Sequence, residues 1–480
     1  MQDRPYSHMV SSPVGKLLAE MAFPAIVSNL VTVIYSLVDA LYLGHLSVAA
    51  LAASGAVMPL TIIFKSFSLL FGMGAANKVS VCLGKKEKDE ASSYAFQGFW
   101  SAVAFSVLLA IICLCLIYPI LHLLGATPSA LPLAALYLIP ILIASPINGA
   151  NYVLNPLLRF QGHPNMAMAG LCSGLVLNIA FEPLFIFKMG LGILGAGICT
   201  ALCQVFSFIV LLIFFVVKSE AKIGFRKKYF RSSVFRNLLF TGLPSLLRNG
   251  MRALSLNLVD LVCSPFGTAA LAGVTVANRV ITLFASVRGG IGQGYQPICG
   301  YAFGAGDYGR IKRAFKTSIT SCAIFLVTAS IISIIFAPQI VSLFQKNPDV
   351  ISKGGSYLRF LSATLSLTTL IAMFNMNCQT LGKNILSSVV PLLRHGLYLI
   401  PFLFVLPHFF GYRGVEICQP IADVCTFLTV IPMQVYVHRW IGKLEYKFER
   451  TMTKANPGLD IQGILSKTRS ESRFNHFKFN

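Results

Sequence analysis

PAIVSNLVTVIYSLVDALYLG, Pro24 to Gly44, is an apolar run long enough to cross a bilayer. It carries one proline near its start and one carboxylate, Asp39, near its end. A carboxylate at membrane depth is costly and by default marks an ion or proton path. Pro24 removes the helical hydrogen bond to the carbonyl of Glu20 and so prepares a hinge. The pattern returns later in the chain. LVD at Leu37–Asp39 is LVD again at Leu258–Asp260, and Pro24 has a counterpart in Pro244.

Working outward, the whole chain of 480 residues shares this character. It is 55% hydrophobic and only 12% charged, against about a quarter charged in a soluble domain. Long apolar stretches with polar connectors predict an all-α polytopic membrane protein. The short alternating segments of a transmembrane barrel are missing. Apolar spans fall at about 14–43, 47–72, 96–122, 131–156, 164–188, 194–217, 235–263, 268–300, 314–343, 355–380, 384–408 and 414–440, which makes twelve.

The net charge of +22 raises nucleic acid as a partner, but the basic residues lie mostly in connectors and at the C-terminus. That is what the positive-inside rule expects. Connectors after spans two, four, six, eight and ten are the basic ones. They include Lys85, Arg159, Lys218 to Arg236, Arg310 and Lys383, whereas the opposite connectors carry only Lys188, Lys346, Lys353 and Arg413. Both termini are therefore expected in the cytoplasm, with the protein in the plasma (cell inner) membrane. The twelve cysteines lie in or beside apolar segments without a CxxC, so free buried thiols are expected. The eight histidines show no ligand spacing, and the first span lacks the cleavage site of a signal peptide. The tail from Lys443 reads as a loosely ordered basic cytosolic extension.

An internal repeat organises the spans. Pro24 and Pro244 are offset by 244 − 24 = 220 residues, as are AALA at Ala49–Ala52 and at Ala269–Ala272. Gly72 and Gly74 match Gly292 and Gly294 at the same offset, Gly84 matches Gly304, and Gly162 matches Gly382. Each half holds six spans, an even number, so both insert the same way round. The expected organisation is an N-terminal lobe over 1–217, a cytosolic linker over 218–236, a C-terminal lobe over 237–442 and a tail over 443–480. Two parallel lobes related by an axis along the membrane normal enclose a central cavity, and one chain suffices to form it, so a monomer is expected.

Four stretches are distinctive: the Pro24–Gly44 span; NIAFEPLFIFKMGLGILGAGICTALCQ from Asn178; GIGQGYQPICGYAFGAGDYGRIKRAFK from Gly290; and LLRHGLYLIPFLFVLPHFFGYRGVEICQPIAD from Leu392. With these the chain resembles the multidrug and toxic compound extrusion (MATE) transporters, most of all their prokaryotic, MepA-like branch. The resemblance implies antiport of amphipathic organic compounds against proton or sodium, with no cofactor. It implies a cation-coupling site at Asp39, Tyr137, Asn178, Glu182 and Thr200, where Asp39, Asn178, Glu182 and Thr200 would be the sodium ligands. Many relatives place Asp where this chain has Glu182.

Depth supports such a cluster independently. Asp39 lies 39 − 24 = 15 residues past Pro24, or ~22 Å, and Glu182 lies 182 − 165 = 17 residues past Asn165, or ~26 Å. Tyr137 and Thr200 lie within about two turns of the outer ends of their spans. Asn178 and Glu182 share a helix face, and Pro183 frees the carbonyl of Ile179 nearby. Two carboxylates held close favour binding a proton between them.

The C-terminal half carries a different set. Asp260 echoes Asp39, shifted by one residue, and Arg248, Arg252, Arg279, Arg288, Arg394 and Asp423 lie inside apolar spans. Arg248, Arg252, Asp260, Arg279 and Arg394 are candidates for cavity lining or ion pairing. A cavity holding several of these cations, with Lys65, would repel cationic drugs and tolerate anionic or zwitterionic ones, so the sign of the substrate stays open. Gly190–Gly195 and Gly304–Gly309 fit GxGxxG but follow no strand, so they read as turns. No GxxxxGK[ST], HExxH or GxSxG occurs, and no nucleophile–base cluster suggests an enzyme. The expected protein is an exporter. The runner-up is a flippase or exporter of lipid-linked or anionic substrates.

Overall fold

The computed structural model describes residues 4–124, 127–128, 130–224 and 227–455. Among them there is no strand. Twelve long helices follow in order: α1 Val14–Leu46, α2 Val48–Gly84, α3 Lys88–Cys115, α4 Leu131–Phe160, α5 Pro164–Pro183 and α6 Gly192–Lys218. Then come α7 Ser232–Cys263, α8 Thr268–Ala305, α9 Tyr308–Ile335, α10 (Pro348–Leu365 with Thr368–Thr380), α11 Asn384–Phe410 and α12 Tyr412–Ala455. Ten of these are long and apolar enough to span a membrane, and α10, bent by 53°, makes an eleventh. The twelfth expected span, α7, has 32 residues, ample length, but carries Arg236, Arg248, Arg252 and Asp260. Its charges, not its length, set it apart from the others.

The chain ends add one element and change one expectation. A short helix, Arg4–Ser11, precedes α1, and Arg310 pins it by donating to the carbonyls of Met9 and Ser12 at 2.9 and 2.7 Å. The supposed loose tail is helical from Lys443 as far as Ala455. The tail after Ala455 lies outside the described residues.

The apolar core divides in an informative way. Two clusters draw on both halves, a large one with Leu17, Leu70, Tyr295 and Phe374 among its members and a smaller one that packs Ala22 against Ile291, Leu326 and Met373. Two others are confined to single halves: Leu43, Ala53, Leu138 and Ile193 in one, Val259, Val274, Leu358 and Val415 in the other. The halves thus share a core at the end that holds the linker and part ways at the opposite end. The shape is a V with its apex at the shared core.

The repeat explains the apex. A Cβ on Gly74 would overlap the carbonyl of Leu238 and press on Gly242, and one on Gly294 would sit 2.6–2.9 Å from atoms of Ala22. The offset of 220 maps Gly74 to Gly294 and Ala22 to Gly242, so these are one contact made twice. Gly84 and Gly304, also equivalent, touch each other directly, as do Ser80 and Gly300. The pseudo-two-fold axis therefore passes between the C-terminal ends of α2 and α8. A self-complementary patch is how a two-fold interface is built, and only small residues let helix backbones meet so closely in a membrane. Two hydrogen bonds add to this join: Thr380 Oγ1 to Asn77 Oδ1 at 2.7 Å, and Asn29 Nδ2 to the Ser286 carbonyl at 3.1 Å.

Candidate functional site

The N-terminal half gathers the expected residues. Glu182 ends the regular part of α5, where Pro183 breaks the hydrogen-bond ladder and a widened π turn, Leu184–Lys188, follows. The carbonyl of Ile179, freed by Pro183, is taken up by the Tyr42 hydroxyl at 3.4 Å. Glu182 is fully buried, and neither of its oxygens accepts a hydrogen bond from a protein donor. What it faces is the carboxyl of Asp39 on α1, within hydrogen-bonding reach. Tyr137 on α4 is buried close to both carboxyls. Asn178, one turn before Glu182, donates its amide to Thr200 Oγ1 at 3.3 Å and to Cys199 Sγ at 3.8 Å.

All five expected residues thus meet in one pocket between α1, α4, α5 and α6. Three further neighbours were not singled out from the sequence. The Tyr35 hydroxyl lies beside Thr200, and the free thiols of Cys199 and Cys203 lie next to each other and to Asn178. Tyr35 had a signal, since it precedes Asp39 by four residues and so shares its face. The cysteines had none beyond their neighbourhood to Thr200.

A cavity of about 480 Å³ opens at the apex of the V, within the range of drug-sized sites. Tyr35, Asn178 and Thr200 line it, but Asp39 and Glu182 do not. The carboxyl pair stands behind those three side chains rather than in the cavity wall. Pro24 is buried within an unbroken α1, and the Ser28 hydroxyl donates to its carbonyl at 2.9 Å.

The C-terminal candidates separate into groups. Arg248, Arg252 and Arg394 line the cavity, as does Arg288. Arg394 also forms a two-pronged ion pair with buried Asp423, at 2.7 and 3.2 Å, which Gln419 supports at 2.8 Å. Asp260 and Arg279 do neither. Asp260 lies beside Cys263 and Tyr357. The residue that the offset of 220 sets opposite Asp39 is Val259, and a shift of one position turns a side chain by about 100°. Arg279 is exposed and about 10 Å further along α8 than the cavity residue Ser286. It joins no ion pair among the described residues.

Arg159 is corrected too. It was expected in a connector, yet α4 continues to Phe160, and Arg159 is 7% exposed and lines the cavity. It hydrogen-bonds to Gln293 of the other half and to Asn155. Glu416 is buried in α12 near Tyr412 and Ser356.

Known proteins match this arrangement over most of its length. The MatE family model matches twice, at residues 24–184 and 244–405, so its two copies start 220 residues apart. The multidrug export protein MepA of Staphylococcus aureus is 24% identical over 421 residues, covering 86% of this chain and 92% of its own. Two solved structures superpose closely, each at 23% identity and each covering 91% of this chain and 98% of its own. One is the outward-facing conformation of a multidrug resistance MATE family transporter, with a TM-score of 0.86. The other, with a TM-score of 0.84, is a MOP superfamily transporter from Pyrococcus furiosus, described as having a binding pocket of reverse polarity.

Proposed function

The chain belongs to the MatE family of integral membrane transporters, and we propose that it is a secondary active exporter of amphipathic organic compounds driven by cation influx. The observation that carries this reading is the facing pair Asp39 and Glu182, sealed behind side chains that line the cavity. Two ionised carboxylates offer only acceptors. Held within reach of one another in a buried pocket, they repel unless a cation lies between them. A proton shared by the pair removes the repulsion and supplies the missing donor.

Coupling then follows from shared neighbours. Thr200 accepts a hydrogen bond from Asn178 and lies beside Tyr35, and all three touch the cavity. Protonation draws α1 and α5 together at the carboxyls and shifts the wall formed by these residues. The cavity contracts and releases its occupant to the open side of the V. Loss of the proton to the other side resets the pocket. Pro24 lets the outer part of α1 move while its inner part stays packed on Gly294. By the positive-inside rule the open end faces outward and both termini are cytoplasmic. The plasma membrane is the natural location.

A second reading of the driving ion rests on a separate observation. Asp39 Oδ1, Asn178 Oδ1 and both Glu182 oxygens are buried without partners. Four oxygen acceptors in one pocket suit a hard cation such as sodium. The test is dye efflux from proteoliposomes under an imposed pH gradient and, separately, a sodium gradient. Movement under the pH gradient alone assigns the proton, and movement under the sodium gradient alone assigns sodium. No movement under either, in folded protein, ends the exporter reading. Pro24→Ala should slow gradient-driven efflux on the order of tenfold, as hinge changes do, while equilibrium binding of the dye changes little. Wild-type efflux in this variant would remove the hinge from the mechanism.

A further inference from the structure

The cavity wall has a sign. Lys65, Arg159, Arg248, Arg252, Arg288 and Arg394 line it, and no Asp or Glu does among the described residues. Arg394 alone has a carboxylate partner, Asp423. The other guanidinium groups lean on neutral acceptors. Arg248 donates to Asn375 at 2.6 Å and Ser245 at 3.2 Å, Arg252 to Thr282 at 3.1 Å, and Arg288 to Thr368. These bonds orient the planar forks without neutralising them, and arginine stays charged in proteins. Arg159 Nε is buried with no hydrogen-bond partner among the described residues.

The charges also crowd one another. Arg252, Arg288 and Arg394 repel mutually on the C-terminal side. Lys65, across the gap on α2, repels Arg252. The carboxyl pair of the coupling site does not offset this, because it stands outside the lining. A buried cluster of like charges is costly, and it persists where a ligand of opposite sign completes it. Apolar side chains, Leu69, Met73, Leu171 and Ile371, share the same wall.

We propose that the substrate of this exporter is an organic anion: an amphipath bearing carboxylate, phosphate or sulfonate groups, held between the arginines of the C-terminal half and Lys65 and Arg159 of the N-terminal half. The proposal deepens the exporter reading and rests on it for transport, though not for binding. An anion that bridges the halves replaces repulsion across the gap with charge-assisted hydrogen bonds on both sides. A cationic drug would shed its hydration against unpaired positive charge and find no carboxylate in the wall.

The test measures binding by fluorescence anisotropy, using the full chain in neutral detergent and no gradient. The probes are carboxyfluorescein, an aromatic polyanion; ethidium, an aromatic cation; and phosphatidylglycerol carrying a neutral fluorophore. Carboxyfluorescein is expected to bind at least about tenfold tighter than ethidium, with an affinity that falls as salt rises. Arg252→Gln and Arg288→Gln should each weaken it about tenfold, the scale of a lost charge-assisted contact, and Arg252→Lys by less. Monodisperse elution and an unchanged melting temperature certify that each variant is folded. Ethidium binding as tightly as carboxyfluorescein overturns the proposal. So does an unchanged carboxyfluorescein affinity in both Gln variants. Labelled phosphatidylglycerol that binds and responds to the same two substitutions, with carboxyfluorescein unbound, upholds the anion site and assigns it to a lipid headgroup. The exporter reading is tested apart from this. Anion binding with no gradient-driven movement of any probe ends that reading alone. Gradient-driven ethidium efflux without anion binding ends the anion proposal alone.

Discussion

Proteoliposomes carrying Asp39→Asn or Glu182→Gln should lose gradient-driven transport down to the level of empty vesicles. Either substitution keeps the shape of the site but supplies a permanent amide donor where, on the proposed mechanism, the coupling cation comes and goes. The remaining carboxylate then gains a fixed partner, and its occupancy no longer follows the gradient. The double variant should be no worse than either single one, because groups that act as a unit fail together. Substrate exchange without a gradient should survive, since neither carboxylate lines the cavity. Efflux of a preloaded dye, compared with exchange of labelled against unlabelled dye, reads both quantities. Wild-type gradient-driven flux in both single variants would exclude this pair as the coupling site.

The other large effect concerns stability. Arg394→Leu leaves Asp423, which is 3% exposed, with Gln419 as its one hydrogen-bond donor among the described residues. Stranding a buried charge of this kind costs about 3–5 kcal/mol, and the melting temperature in detergent should fall steeply. Arg394→Leu with Asp423→Leu should recover much of the loss, because no charge is then left unpaired. A single Arg394→Leu variant as stable as the wild type would show that water, not Arg394, solvates Asp423. The contrast with Arg252 and Arg288 is the useful part. These two have no carboxylate to strand, so their replacement should change binding and leave stability nearly unaltered.

Much of this architecture was readable from the chain because helical membrane proteins write their fold in simple signals. Apolar length gave the spans, and one offset of 220 residues gave both the two lobes and, through Gly84 and Gly304, the position of their axis. The residues of the proposed coupling pocket were legible as a group for a similar reason: ionisable and amide groups such as Asp39, Asn178 and Glu182 stand out against an apolar background. What escaped was whatever looked ordinary. Tyr35 and Cys203 are unremarkable in a membrane helix until Thr200 and Asn178 are placed beside them. Arg159 was misplaced because a cation near a helix end reads as a topology signal, and only the folded chain shows it turned inward. Asp260 misled in the opposite sense. The motif LVD was copied, but its phase was not, and a helix converts a slip of one residue into a different neighbourhood.

The glycine contacts on the axis have a mechanical consequence. Where Gly84 meets Gly304, backbone slides on backbone with no side chain to change rotamer. Such a bearing offers little friction and stores little preference for any angle of tilt. The balance between the open form and its mirror must then be weighted elsewhere, at small latches such as Thr380 on Asn77 or Arg159 on Gln293. Each latch joins the two halves by one or two bonds. On the exporter reading proposed above, a transporter so hung would need only the energy of a bound cation or a ligand to swing, and loosening one latch should change how often it swings before it changes how far.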